Sequence, residues 1–178
     1  MQLLAYVAHS LLRKLFYPVI EGVTITSVET ADQMAAVLEY EFSECDALIM
    51  SAAVADAKVA NYSEQKIKKE NLDVVSFSKN PDILRNLSEK KKPGQIIVGF
   101  AAETISGLAE LQQRGEEKLV SKSLDLIYVN NVSDGAVFGS ENTQGLIIDK
   151  NHNVIKVPQI SKDTLSDILL DQLVSKLS

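Results

Sequence analysis

Charged residues that could hold a polyanionic ligand follow an apolar run in the first third of the chain. Asp56 comes one or two residues after the end of the apolar run at 46–54, where a carboxylate can reach a ribose, a metal ion or a base edge. The stretch 58–92 carries nine basic and five acidic residues, although the net charge of the chain is −6. A small polyanion would need this local excess of positive charge, but a run of lysines is more often solvated surface.

Two later features could also contact a nucleotide. Phe100 ends the apolar run at 95–100, and its ring could stack on a base or belong to the core. Lys118 and Lys122 are four residues apart, so they lie on one face of a predicted helix. Two glutamates directly precede Lys118. Spacing alone therefore leaves open whether the two lysines bind a ligand or form surface ion pairs.

Several familiar catalytic and binding motifs do not occur in the sequence. There is no glycine-rich dinucleotide fingerprint, which disfavours an NAD(P)-dependent Rossmann enzyme. There is also no P-loop and no GxSxG turn. His9 and His152 are far apart and Cys45 is the single cysteine, so the sequence predicts no metal cluster. One cysteine cannot form an internal disulfide, which fits a reducing compartment.

The predicted elements alternate between strands and helices along most of the chain. This alternation favours an α/β fold, a three-layer Rossmann-like parallel sheet, and two apolar runs flanking 150–152 predict a C-terminal β-hairpin. Ligands bind such sheets at the carboxyl ends of the strands. The predicted strands are 22–28, 46–54, 74–78, 95–100 and 124–132; the predicted helices run from Thr30 or Asp32 to about Phe42, from Pro81 with Asn80 as its cap, from Ser106 to Lys122 and from Asp163 to Leu177.

Length and composition predict one domain over 1–178, with an atypical first segment at 1–20. This segment is rich in apolar residues, but charges and a proline interrupt it, so neither a membrane span nor a signal peptide is expected. It fits a short amphipathic helix, whereas 3–8 alone could be a buried strand. The acidic net charge argues against nucleic acid as a partner, and the cytoplasm is the expected location.

Six short motifs, in their order and spacing, resemble one protein family. They are SAAVAD at 51–56, EQKIKK at 64–69, KNPDIL at 79–84, VGFAAET at 98–104, KLVSKSLDLIYVNNV at 118–132 and GLIID at 145–149. From about Gly22 onward, the chain is similar to phosphopantothenoylcysteine synthetase, the ligase half of the bifunctional bacterial coenzyme A biosynthesis protein. The resemblance implies a homodimeric ligase that activates 4′-phosphopantothenate with CTP and Mg²⁺ and then joins it to cysteine.

The same resemblance implies roles for individual residues. Lys66, the first lysine of KIKK, would be the catalytic flap lysine over the phosphates. Asp56 would contact the nucleotide, and Ala52 and Ala53 would present backbone groups to it. For the lysine pair, the resemblance favours nucleotide binding over surface ion pairing. The other residues that it places at the CTP site are Pro81, Asp82, Ile83, Phe100, Lys118 and Lys122, and it implies no metal-ligating residue and no flavin in this chain.

The sequence departs from the family pattern before residue 22. Family members begin with a strand and a glycine-rich loop, followed by a segment with an arginine and an asparagine that handles phosphopantothenate, and none of these is recognisable here. We therefore expect an N-terminally truncated member that lacks the first βα unit of the family, and also the flavin-dependent decarboxylase half. The alternative to an active ligase is a nucleotide-binding remnant, or a subunit that needs a partner to supply the loop.

Overall fold

The computed structural model describes residues 3–6, 21–63, 65, 74–105, 107–132 and 140–177. Strands and helices alternate along these residues, as predicted. The strands are β1 (Leu3–Tyr6), β2 (Ala47–Met50), β3 (Ala57–Val59), β4 (Phe77–Lys79), β5 (Ile96–Glu103), β6 (Leu126–Asn131), β7 (Asn142–Asp149) and β8 (Val154–Ser161); the helices are α1 (Ala31–Phe42), α2 (Ile83–Glu89), α3 (Leu108–Ser121) and α4 (Lys162–Leu177).

The main sheet has six strands in the order β1-β2-β5-β6-β7-β8. The first four are parallel to one another, whereas β7 and β8 pair antiparallel and form the C-terminal hairpin. Parallel neighbours need long crossover connections, and α2 and α3 lie in two of them. The predicted α/β class and the hairpin are confirmed, and the hairpin makes the complete sheet mixed.

Helices cover both faces of this sheet and give it three layers. One core contains α1, α2 and α3 residues such as Leu38, Leu87 and Leu119. The other contains α4 residues such as Leu169 and Leu173. Central strands that are covered on both faces require continuous apolar runs, which explains why the sequence at 46–50 and 96–101 contains so few polar residues.

The predicted strand at 22–28 is wrong. Residues 22–28 form no strand, and Val23 and Ile25 remain more than half exposed. β-branched alternation becomes a strand only where a sheet edge is available, and the edge beside β2 is occupied by β1, with Leu3 opposite Ala47. The strand alternative for the first segment is therefore confirmed over residues 3–6, while residues 7–20 lie outside the described part of the chain.

The predicted start of α2 is also wrong. Its N-cap is Asp82, whose side chain accepts a hydrogen bond from the backbone N–H of Arg85, so Asn80 and Pro81 precede the helix. By contrast, the start of α1 agrees with one of the two predicted alternatives, because Thr30 and not Asp32 caps the helix and forms a capping box with Gln33. Both acceptors are of the preferred capping type, so residue type alone could not decide between Asn80 and Asp82.

The strands β3 and β4 form a small antiparallel sheet of their own, here called the β3/β4 arm. Backbone hydrogen bonds extend it in both directions, from Asn80 N to Asp56 O at 2.9 Å and from Ala60 N to Ser76 O at 2.8 Å. Phe77 is 69% exposed on this arm. In the sequence, the EQKIKK motif lies between the two strands of this arm.

Asp125 is a buried carboxylate just before β6. Its side chain is 2% exposed and accepts hydrogen bonds from Lys91 Nζ at 2.6 Å, Lys150 Nζ at 3.3 Å and the backbone N–H of Ile97 at 2.9 Å. The charges of a buried ion pair are costly to desolvate. Removal of one partner strongly destabilises the protein, because the other charge is then buried without compensation. Asp125 therefore joins three chain segments at the start of the parallel strands.

Cys45 lies in the turn between α1 and β2 and is 5% exposed. Burial, together with the nearby acidic side chains of Glu41, Asp46 and Glu44, raises the pKa of its thiol. The reactive thiolate form is therefore disfavoured. Within the described residues, no helix is both long enough and apolar enough to cross a membrane.

Asp149 gives a testable pH dependence of stability. Burial alone would raise the pKa of this carboxyl, but hydrogen bonds from Lys176, Asn153 and Asn151 outweigh it and lower the pKa from 3.8 to about 2. A lowered pKa stabilises the folded chain fully above pH 3.8, and this contribution is lost as the pH falls towards 2. From the shift, we expect it to be about 2 kcal/mol.

Urea unfolding between pH 6 and pH 2.5 checks this expectation, with Asp149→Asn as the comparison. The difference in unfolding free energy between wild type and variant should shrink below pH 3.8. A difference that stays constant down to pH 2.5 would contradict the assignment.

Candidate nucleotide site

The loop that follows β2 carries the first predicted nucleotide contacts. Ala52 is half-buried and packs against the core, whereas Ala53 and Asp56 are exposed. The loop therefore presents Ala53 and Asp56 to solvent at the carboxyl end of a parallel strand, where this class of sheet binds ligands.

The start of α2 lies against this loop. Asn80 donates from its side-chain Nδ2 to Ala55 O at 2.8 Å and from its backbone N–H to Asp56 O at 2.9 Å. Pro81 and Asp82 follow directly, so the structure brings the predicted 51–56 and 81–83 segments together. Ile83 is 4% exposed, and its side chain belongs to the core. Any contribution of Ile83 to a ligand is thus through its backbone.

The two predicted lysines on α3 are held by carboxylates from two other elements. Lys122 Nζ lies 3.2 Å from Asp82 Oδ1 at the start of α2. Lys118 forms an ion pair with Glu103 at the end of β5. The pair therefore bridges α3 to α2 and β5, at a junction that contains residues which the resemblance assigns to the nucleotide.

The ion-pair partners of the two lysines come from other elements and not from the two glutamates that precede Lys118. Glu116 accepts a hydrogen bond from Gln112, and Glu117 accepts hydrogen bonds from Gln113 and Arg114. The two glutamates thus have partners on α3 itself. Glu103 is 18% exposed, so its carboxylate is largely withdrawn from solvent beside a lysine that is 43% exposed.

Phe100 lies on the opposite face of β5. Its ring packs edge-on against Tyr128, with 5.8 Å between ring centroids, in the core that faces α4. Ala101 points into the core on the other side, as strand alternation requires. The structure does not place the Phe100 ring beside the lysine pair, and its contact with a base stays a prediction.

Tyr128 supports this packing from the next strand. Its hydroxyl is 2.7 Å from Thr143 Oγ1 in a buried hydrogen bond. Burial raises the pKa of Tyr128, and the hydrogen bond to Thr143 only partly opposes this. The phenol is therefore neutral under ordinary conditions and has a packing role.

Lys66, the predicted catalytic residue, lies outside the described residues, as does the rest of KIKK. The chain connects it to the β3/β4 arm on both sides. Lys58 of this arm forms an ion pair with Asp32 near the start of α1. The arm is thus anchored at its base, next to the 51–56 loop.

Sequence reasoning missed two residues that organise this site. Glu103 belongs to the quoted VGFAAET motif, and its position at the end of a buried strand was the available signal. Asn80 was interpreted as a helix cap, and its side-chain contact with Ala55 spans 25 positions of sequence. No local pattern could have predicted that contact.

The described residues hold no group of three or more His, Cys, Asp or Glu side chains arranged to bind a metal ion. Asp82 and Glu103 are the carboxylates nearest the lysine pair, and each already has a lysine partner. Mg²⁺ in nucleotide sites is held largely by phosphates and water, with one or two carboxylates, so this donor set fits a metal that arrives with the nucleotide.

Comparisons with known proteins agree with the sequence motifs. A cysteine/cysteine sulfinic acid decarboxylase from an unknown prokaryotic organism is 34% identical over 155 residues, which are 85% of this chain and 42% of that protein. The coenzyme A biosynthesis bifunctional protein CoaBC of Borreliella burgdorferi is 32% identical over 152 residues, which are 84% of this chain and 37% of that protein. The chain thus spans roughly two fifths of the length of these relatives.

Solved structures share the fold. The C-terminal domain of a CoaBC protein matches with a TM-score of 0.71 and 24% identity, covering 96% of this chain and 71% of that one. A Cab2 mutant in complex with phosphopantothenate-cysteine matches with a TM-score of 0.60 and 18% identity, covering 83% of this chain and 53% of that one.

A family model also matches most of the chain. It describes the C-terminal domain of the DNA/pantothenate metabolism flavoprotein and matches residues 14–177. This protein therefore belongs to the DNA/pantothenate metabolism flavoprotein C-terminal domain family, as its resemblance to phosphopantothenoylcysteine synthetase predicted.

Proposed function

We propose that this chain is a ligase of coenzyme A biosynthesis that joins 4′-phosphopantothenate to cysteine at the expense of CTP. The observation that carries the proposal is the junction of three elements around Lys118 and Lys122, which are held by Glu103 and Asp82. This junction adjoins the 51–56 loop through Asn80. It gathers most of the described residues that the family resemblance assigns to the nucleotide, and Phe100 is the exception.

The reaction has two group-transfer steps. In the first, a carboxylate oxygen of phosphopantothenate forms a bond to the α-phosphorus of CTP, and the bond to pyrophosphate breaks, which gives an acyl-cytidylate. In the second, the amino nitrogen of cysteine attacks the acyl carbon, the bond to CMP breaks and the nitrogen loses a proton. The protein has little covalent work in such transfers and acts mainly by positioning and charge neutralisation.

The described side chains suit those two tasks. Lys118 and Lys122 can exchange their carboxylate partners for phosphate oxygens, because both side chains remain partly exposed. Asp56 is free to approach a polar part of the nucleotide from the loop after β2. Mg²⁺, when bound with the triphosphate, supplies further neutralisation of its charge. We propose the cytoplasm as the location and a homodimer as the assembly, as the resemblance implies.

The relatives support this class of activity, and they also suggest two alternatives to the ligase. CoaBC is named for coenzyme A biosynthesis, and the Cab2 structure contains phosphopantothenate-cysteine. The decarboxylase spans more than twice the matched length, and none of the described site residues is specific to decarboxylation. A nucleotide-binding chain without catalysis is the second rival, because this chain spans only part of its relatives.

The test is pyrophosphate release from CTP and Mg²⁺ with 4′-phosphopantothenate, measured with and without cysteine, with amide product followed by mass spectrometry. The ligase proposal expects pyrophosphate in both reactions and amide only with cysteine. A rise in melting temperature with CTP but no pyrophosphate would favour the binding-only alternative. Carbon dioxide release from cysteine would favour the decarboxylase, and no response to CTP would overturn the nucleotide site.

Lys122→Ala gives a more local prediction. Loss of one ammonium group from the phosphates is expected to weaken CTP binding about tenfold to a hundredfold, since hydrogen bonds to charged groups contribute about 1.5–3 kcal/mol. Isothermal titration calorimetry measures this loss. Lys90→Ala is the matched control, because Lys90 pairs with Glu39 on the outer surface. Equal affinity of the Lys122 and Lys90 variants would show that Lys122 does not contact the nucleotide.

A further inference from the structure

We propose that Asn80 is a positioning residue that fixes the 51–56 loop against the start of α2 and the base of the β3/β4 arm. This inference rests on the proposed function, because it concerns residues of the proposed nucleotide site. Asn80 itself makes no proposed contact with substrate. It acts through Asp56 and through the segment that begins at Pro81.

The contacts of Asn80 form a two-point clamp on the loop. The side-chain Nδ2 donates to Ala55 O at 2.8 Å, and the backbone N–H donates to Asp56 O at 2.9 Å. The two acceptors are consecutive carbonyl oxygens, so the two hydrogen bonds together fix the position and the orientation of the backbone at Ala55 and Asp56. Asp56 could rotate away if only the backbone bond remained.

The position of Asn80 in the chain allows its contacts to affect several neighbouring elements. Asn80 directly follows β4 and is separated from the helix cap Asp82 only by Pro81. Proline fixes its own backbone φ angle and restricts the residue before it, so this short connection is stiff. A displacement at Asn80 would therefore change the positions of the loop, the arm and the Asp82 partner of Lys122 together.

The surroundings of the loop leave space into which it could move. A cavity of about 210 Å³ lies between residues 53–55, Asn80 and the start of α1. The loop can shift into this space if the side-chain hydrogen bond is lost. The Asn80 Oδ1 atom is buried and has no hydrogen-bond partner among the described residues, so the side chain is held here by its donor group.

Two variants separate the effect of the shape of the Asn80 side chain from the effect of its hydrogen-bond donor. Asn80→Ala removes the side-chain bond, and we expect the dissociation constant for CTP to rise about fivefold to tenfold, in line with one hydrogen bond. Asn80→Asp keeps the shape but places a carboxylate against the Ala55 carbonyl, so its effect should be larger. Asn86→Ala, on the exposed face of α2, is the control and should bind CTP like wild type.

Titration calorimetry with CTP and Mg²⁺ measures the affinities, and hydrogen exchange measures the clamp directly. In Asn80→Ala, exchange should accelerate in 57–60 and 77–80 and stay unchanged in β5 and β6, which also verifies the fold. Wild-type affinity in Asn80→Ala overturns the proposal. Unchanged exchange in the arm overturns it as well.

The design distinguishes this inference from the proposed function. If wild type fails to bind CTP, the nucleotide site is wrong, and the clamp is then decided by hydrogen exchange alone. If wild type binds CTP and the Asn80 variants bind it equally well, the site is correct and the clamp is wrong. A uniform acceleration across β5 and β6 would show a general structural role and would also overturn the positioning role.

Discussion

Asp125→Ala is expected to lower the free energy of unfolding by about 3–5 kcal/mol, the cost typical of breaking a buried ion pair from one side. The variant leaves the backbone N–H of Ile97 without its acceptor inside the sheet. It also leaves Lys91, which is 22% exposed, without its carboxylate partner. Urea unfolding followed by circular dichroism measures the loss.

Two further variants make this result specific. Asp125→Asn retains an oxygen acceptor for Ile97 but loses the charge, so its stability should lie between those of wild type and Asp125→Ala. Glu117→Ala removes an exposed ion pair with Arg114 and should cost less than about 1 kcal/mol. A loss in Asp125→Ala no larger than that in Glu117→Ala would show that the buried carboxylate is not a structural tie.

Lys66→Ala should lower kcat for the ligase reaction by about a hundredfold to a thousandfold, the usual effect of removing one electrostatic contact that acts in the transition state. The reason is the proposed place of this lysine over the phosphates of CTP, where charge develops as the cytidylyl group is transferred and pyrophosphate leaves. CTP affinity should fall much less than kcat. Steady-state kinetics combined with titration calorimetry separates the two quantities.

Lys162→Ala is the control for Lys66, because Lys162 is an exposed lysine at the start of α4. Its kcat should equal that of wild type. An unchanged kcat in Lys66→Ala would remove Lys66 from the mechanism. Comparable losses of kcat in both lysine variants would indicate a general effect of charge on the protein.

The apolar runs and the hairpin were the parts of the fold that the sequence predicted well. Residues 47–50 and 96–101 are buried or half-buried between the two helical layers, and only a continuous apolar run can satisfy that environment. The segment at 22–28 has a strand-like pattern of its own. Its structure depended on which segment occupied the edge beside β2, and no local pattern contains that information.

In the candidate site too, short sequence motifs predicted individual residues, whereas contacts between residues far apart in the sequence were not predicted. Motif order identified Asp82, Lys118 and Lys122, because each belongs to a short stretch with a distinctive sequence. The pairing of Lys118 with Glu103 and of Asn80 with Ala55 depends on how helices and loops meet in space. Phe100 illustrates the limit most clearly, since strand alternation places its ring on the face opposite the lysine pair.

The burial of the single cysteine has a practical consequence for spectroscopy. Cys45 is withdrawn from solvent and its pKa is raised, so it should react slowly with maleimides in the folded protein. A second cysteine on the exposed face of the β3/β4 arm, for example Phe77→Cys, would therefore take a fluorophore selectively without prior removal of the native thiol. A fluorophore at this position would report whether the arm moves when CTP is added.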